Sequence, residues 1–241
     1  MLVIQAFPTQ MIGGLLMVRT EVPTAAGIRA SRLNAAVFGG LAGFGGLVHG
    51  IGEMLQGSVR PAGAVFDSWA QGPIATHMDG EPAMSLIPNL FVTGFLTILL
   101  SLAVIVWAGV FIHRKHGGRV LILLAVGMLL VGGGFGPPMI GILAGWAGTG
   151  IDTLSYAWQR RLSGRAGQVL ARLWPWAFAV SVLAATLLTI GSLFLITLFD
   201  VNNAEFFSNL FLFVLLALLV TVPAGFAYDQ KRREPQEPAP A

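Results

Sequence analysis

Residues 120–148 read VLILLAVGMLLVGGGFGPPMIGILAGWAG, and the way this stretch is read decides the fold. It is apolar throughout, yet Gly132, Gly133, Gly134, Gly136, Pro137 and Pro138 interrupt it at one point. Glycine is a poor helix former, and proline both removes a donor and disfavours a helical conformation at the residue before it. A helix break is predicted there. Residues 120–134 make about 22 Å of helix at about 1.5 Å per residue, enough to approach the far edge of a hydrocarbon layer roughly 30 Å thick. The part after the break has less apolar length and runs into Thr149, Asp152, Thr153 and Ser155. It reads as a sixth, partly polar helix or as a re-entrant segment buried in protein. The competing reading is one long tilted helix with a kink.

The surrounding sequence favours the return. The chain is 55% hydrophobic and only 10% charged, and four further apolar runs span residues 33–52, 86–112, 175–199 and 206–228, the pattern of a polytopic membrane protein. Of its 14 Lys and Arg residues, all but Arg60 fall in groups that one orientation places on the same side. Arg19, Arg29 and Arg32 precede the first span, and Arg114, Lys115 and Arg119, with His113 and His116, separate the second from the third. Arg160, Arg161, Arg165 and Arg172 precede the fourth, and Lys231, Arg232 and Arg233 follow the last. Positive charge marks cytoplasmic loops. With both flanks of residues 120–148 on that side, the stretch crosses twice or dips and returns. Glu53, Asp67, Asp79, Glu81, Asp200 and Glu205 then collect on the opposite side.

The expected fold is therefore an all-α, polytopic transmembrane helical bundle with five to six crossings, a broken Gly/Pro-rich third segment and an outer loop cap. Residues 1–32 form an N-terminal interfacial or re-entrant segment, since the first 18 residues lack the basic start and cleavage site of a secretory signal. Residues 33–228 form the transmembrane domain, with the outer loop at 53–85. Residues 229–241 form a disordered cytoplasmic tail. The expected location is the plasma (inner) membrane, with a cytoplasmic C-terminus. Pro61, Gly63, Trp69, Gly72, Pro73 and Pro82 make the outer loop a compact cap rather than a spacer. Asn89 and Thr93, at the start of the second span, are placed to support that cap by hydrogen bonding.

Glycine serves packing. Gly39, Gly43, Gly46, Gly50 and Glu53 share one face of the first span, and Gly141, Gly145 and Gly148 make a second smooth face. The simplest core packs these two faces together. The same faces would equally suit a second copy of the chain or another membrane subunit, and the lipid bilayer is the other partner implied.

His49 and Glu53 stand four residues apart, so their side chains share a helix face, and Gln56 adds an amide one turn on. An ionisable pair at the end of a glycine-lined helix is costly in hydrocarbon and reads as functional. The break is expected at the same depth. Candidate ion- or solute-binding residues are therefore His49, Glu53, Gln56, Gly134, Gly136 and Asp67. With His77 and Asp79 from the loop, and Glu81 near them, His49 and Glu53 would also make a mixed donor set for a divalent metal such as zinc, manganese or iron. That spacing matches no known metal motif.

Other chemistries find less support. The chain has no cysteine, which rules out thiolate catalysis and cysteine-ligated clusters. His113 and His116 lie at the opposite end from His49 and His77, so no bis-histidine haem is expected. Phosphate-loop and dinucleotide fingerprints are absent, and the net charge of +3 sits beside lipid headgroups, so neither nucleotide nor nucleic acid is expected. Three functions stand in order: translocation of a small ion or polar solute through a site near the outer face, a non-catalytic scaffold or complex subunit, and a metal-dependent membrane enzyme. A non-enzymatic role is favoured.

Overall fold

In a computed structural model, which describes residues 29–78, 80–151, 158, 162, 164–201 and 203–233, the apolar runs become helices. Helix α1 (Ala30–Leu55) leads into a cap built of strand β1 (Val65–Asp67), a short helix α2 (Pro73–His77) and strand β2 (Pro82–Met84). Helix α3 (Leu90–Val106) continues through a π-helical turn, Trp107–Phe111. The broken stretch gives α4 (Gly117–Leu130) and α5 (Gly136–Thr149). Helix α6 runs from Arg165–Thr186 through a second π-helical turn, Leu187–Gly191, into Ser192–Leu198, and α7 is Ala204–Arg233. Four of these are long and apolar enough to span a membrane: Ala30–Leu55, Leu90–Phe111, Arg165–Leu198 and Ala204–Arg232. The chain is a mostly helical, multi-pass membrane protein whose cap adds a two-stranded antiparallel ribbon.

The third apolar run doubles back. A Cβ on Gly118 would come within 2.5 Å of the Gly145 carbonyl, one on Gly145 within 2.8 Å of the Gly118 carbonyl, and one on Gly141 within 2.9 Å of Ala125 Cβ. Residues early in α4 therefore meet residues late in α5, as in an antiparallel pair, and the single kinked helix is excluded. Each half holds 14 residues, about 21 Å of helix and so shorter than a full hydrocarbon crossing.

The expected packing of the two glycine faces against each other is not what forms. Gly141, Gly145 and Gly148 are taken up mainly by α4, as just described. The Gly39, Gly43, Gly46 and Gly50 face lies on α3, where a Gly50 Cβ would sit 2.8 Å from Ile98 Cγ1 and a Gly94 Cβ 2.5 Å from the Gly50 carbonyl. Gly50 and Gly94 thus permit a mutual backbone approach that any side chain would prevent. Helix α1 reaches α5 through a neighbouring strip, with Gly45 on Pro137 and Ala42 on Gly141.

The helix ends that carry the described basic residues Arg29, Arg119, Arg172 and Lys231 gather at one end. Arg29 donates from its guanidinium to the Ile151 carbonyl, Gly118 packs on Thr149, and Trp174 meets Tyr228 at a tilt, with ring centroids 4.6 Å apart. Here Asp229 is buried and caps α1: Oδ1 accepts from Ala30 N at 2.7 Å, and Oδ2 accepts from Ser31 N at 3.0 Å and Ser31 Oγ at 2.6 Å. Helix α7 continues to Arg233, so residues 229–233, expected in the tail, are helical. A polar seam follows, with Asn34 donating to the Thr221 carbonyl at 3.2 Å, Trp174 Nε1 donating to Asn34 Oδ1 at 3.2 Å, and the Ser181 and Thr221 hydroxyls 2.8 Å apart. Expectations for residues 1–28, Asp79, Asp152, Thr153, Ser155 and residues 234–241 lie outside the described residues.

Candidate functional site

The break between α4 and α5 is held in place at the capped end. Three carbonyls at its start find donors: Leu86 N donates to Leu130 O at 3.1 Å, Thr97 Oγ1 to Val131 O at 2.7 Å, and Gly133 N to Met128 O at 2.8 Å. Donors of this kind are what non-helical backbone at membrane depth requires. Gly132 and Gly134 have φ of +110° and +72°, which glycine adopts without steric cost. Space requires glycine as well. A Cβ on Gly132 would stand 2.5 Å from both Glu53 carboxylate oxygens and from Thr93 Cγ2, and one on Gly134 would overlap the His49 imidazole. The broken helix and the His49/Glu53 pair meet in direct contact.

A serine from the cap joins that pair. Ser68 Oγ lies 2.9 Å from His49 Nδ1 and donates to Glu53 Oε1 at 3.2 Å. On the other side of the ring, His49 Nε2 is 3.3 Å from Glu81 Oε2. Ser68 and Glu81 arrive together because they face each other at the end of the ribbon, Ser68 N donating to Glu81 O at 3.2 Å and Trp69 N to Gly80 O at 3.0 Å. Glu81 holds a left-handed backbone conformation, φ +55°, a strain found where surrounding structure over-determines a side chain's position. Glu53 and Ser68 are wholly buried and His49 nearly so, whereas the Glu81 side chain is 30% exposed. Glu53 Oε2 has no hydrogen-bond partner among the described residues, an expensive omission for a buried carboxyl oxygen.

Beside the chain of polar groups lies a cavity of about 290 Å³. Ile74 and Met78 of the cap, Phe135, Leu188, Phe207 and Phe211 supply much of its wall, and His49 and Glu81 are its titratable members. Gly136 and Pro137 at the start of α5 also line it. Because Pro137 and Pro138 lack N–H groups, this helix end is poorly equipped to cradle an anion. The π-helical turn of α6 brings Leu188 and Thr189 to the wall, in keeping with the frequent occurrence of such turns at functional places.

The other sequence-derived candidates spread out. Gln56 serves the cap, donating from Nε2 to the carbonyls of Asp67 at 3.1 Å and Ser68 at 2.7 Å. Asp67 offers that carbonyl while its side chain is exposed. His77 turns away from His49 and pairs with Asp200, Nε2 to Oδ1 at 2.9 Å, tying α2 to the turn before α7. Among the described residues no group of three or more His, Cys, Asp or Glu side chains is arranged to hold a metal ion. Asn89 and Thr93 do support the cap: Asn89 donates to Ser58 Oγ at 2.8 Å and accepts from Val92 N, and the Thr93 and Ser85 hydroxyls are 3.0 Å apart.

Ser68 and Asp229 are the residues that sequence reasoning missed. A serine in a loop carries no signal of its own. Asp229 carries one: an acid in the last turns of a helix, just before Lys231, Arg232 and Arg233, opposes the helix dipole and asks for a specific partner. No protein-family profile, curated protein or solved structure matches this chain.

Proposed function

We propose that the chain is a membrane transport protein whose pocket at the capped end takes up a small solute with an apolar body and one polar or charged group. The observation that carries this reading is the convergence of the glycine break, the buried His49–Ser68–Glu53 chain and the roughly 290 Å³ cavity on one another. Broken helices at solute sites recur in secondary transporters, where helix ends and unwound backbone face the solute. The cavity is near the lower bound for ligand pockets, so the solute is small, and its lining is mostly apolar with a few convergent polar groups. The basic end faces the cytoplasm by the distribution of positive charge, and the pocket opens to the other side.

The test is ligand-dependent thermal stabilisation of detergent-purified protein against a panel of small amines, carboxylates and alcohols with matched apolar bodies. A true ligand at about 100 times its dissociation constant stabilises by about 2.7 kcal/mol. Ala204→Phe, which fills the wall between the cap and α7, abolishes that gain while leaving unliganded unfolding near wild type. Stabilisation that survives Ala204→Phe, or none across the panel, refutes the reading. Both ring nitrogens of His49 are engaged within the protein, Nδ1 with Ser68 and Nε2 with Glu81, and His77 pairs with Asp200, which supports reading the polar groups as part of a solute site.

A further inference from the structure

We infer that Glu53, Ser68, His49 and Glu81 form a proton relay between a fully buried carboxyl and the wall of the pocket. The inference deepens the reading of the pocket as a transport site by naming the proton as the coupled ion, and its test uses no solute. It rests on continuity: Glu53 Oε1 to Ser68 Oγ is 3.2 Å, Ser68 Oγ to His49 Nδ1 is 2.9 Å, and His49 Nε2 to Glu81 Oε2 is 3.3 Å. Burial falls along the chain, from Glu53 at 0% exposed to the Glu81 side chain at 30%.

Two proton arrangements satisfy every contact with the same number of protons. In one, Glu53 is a carboxylic acid donating to Ser68 Oγ, the Ser68 hydroxyl donates to His49 Nδ1, and His49 Nε2–H donates to the Glu81 carboxylate. In the other, Glu53 is a carboxylate accepting from Ser68, and His49 is an imidazolium donating from Nδ1 to Ser68 and from Nε2 to Glu81. They interconvert when the Glu53 proton moves to Ser68 Oγ as the Ser68 proton moves to His49 Nδ1. No heavy atom need travel. Passing the Nε2 proton to Glu81 then leaves neutral His49 and a protonated carboxyl at the pocket wall, with the total charge unchanged.

Among the described residues, the pocket wall adds no titratable group to this chain beyond His49 and Glu81. Helix α1 contributes only His49 and Glu53, and the cap contributes Glu81. The Asp67 side chain is exposed and His77 is held by Asp200. Helix α3 brings the hydroxyls of Thr93 and Thr97, the break brings glycine backbone, and α5, α6 and α7 add no titratable group to the described pocket wall. The unpartnered Glu53 Oε2 packs against Gly132, so the charge on Glu53 is felt by the break itself.

The test is infrared difference spectroscopy across a pH titration of solute-free protein in nanodiscs, in parallel with nitrogen-15 NMR of the histidine rings, His49→Gln assigning the His49 signals. A carboxylic C=O band that Glu53→Gln removes titrates in the same two macroscopic steps as the His49 ring, as strongly interacting sites do. Ser68→Ala separates them into single, independent steps, and Ser68→Thr restores the shared ones. If Ser68→Ala fails to fold, His49→Gln carries the same test, with the Glu53 band collapsing to one step. A Glu53 band that ignores His49 in the wild type, or shared steps that persist in Ser68→Ala, overturns the relay. Loss of the relay would leave ligand stabilisation unexplained but intact, whereas a failed ligand panel would leave the shared titration standing.

Discussion

Gly134→Ala tests the contact between the helix break and the buried pair. Gly134 holds φ at +72°, and an L-residue in the left-handed region costs about 1–2 kcal/mol. The added methyl group would overlap the His49 imidazole, and forcing extra volume into a packed site costs about 1–3 kcal/mol. The sum is about 2–5 kcal/mol, or a fall in unfolding midpoint of about 4–20 °C at about 2–4 °C per kcal/mol for a chain of this size. Gly40→Ala is the control of opposite sign, because nothing lies within 4 Å of a Cβ there and alanine gains about 0.5–1 kcal/mol in a helix interior. Thermal unfolding in detergent measures both. A double-mutant cycle with His49→Ala isolates the steric share, and the double variant is less destabilised than the two single effects added together, by about 1–3 kcal/mol. Gly134→Ala unfolding with wild-type stability, or a cycle with no coupling, would refute the argument that these glycines exist to admit His49 and Glu53.

Two further outcomes follow from the ends of the bundle. Asp229→Ala leaves the first turn of α1 uncapped and a buried hydroxyl unpaired, and costs about 2–4 kcal/mol in thermal unfolding, whereas Ser31→Ala costs about 1 kcal/mol. Equal losses in the two variants would contradict the assignment of Asp229 as the cap of α1. His77→Ala changes stability little, since Asp200 is 88% exposed and such pairs are weak. It releases α2 from the turn before α7, and a cysteine introduced at Met78 reacts faster with maleimide in that background. An unchanged labelling rate would show that the His77–Asp200 pair does not hold the cap closed.

Much of this fold was legible because membrane spans follow from composition and length. The break was legible because Gly132 to Pro138 violate helix chemistry inside an apolar run, and the His49/Glu53 pair because i,i+4 spacing fixes a shared face. What periodicity cannot encode is the identity of a partner distant in sequence. Gly39 through Gly50 announce a close approach without saying that α3, carrying Gly94, makes it. His77 and Glu81 looked equivalent as loop partners, yet the ribbon register brings Glu81 and Ser68 to His49, while α2 carries His77 toward Asp200. The two-stranded ribbon itself is too short, at three residues per strand, for alternation to reveal it.

The contact of the break with His49 and Glu53, and one wall of the pocket, depend on residues 120–148 turning back on themselves, and the absence of native cysteine makes this directly measurable. Ala125→Cys/Gly141→Cys places two thiols across the α4–α5 interface, where the Cβ positions stand 2.9 Å apart and a slight parting of the helices brings them to the roughly 3.5–4.5 Å of a disulfide. Mild oxidation in native membranes, read by peptide mapping after proteolysis between the two positions, is predicted to give an intramolecular disulfide in nearly every chain. In a single kinked span the two positions would stand about 24 Å apart at about 1.5 Å per residue, and the absence of any cross-link in a folded, membrane-inserted double variant would contradict the account.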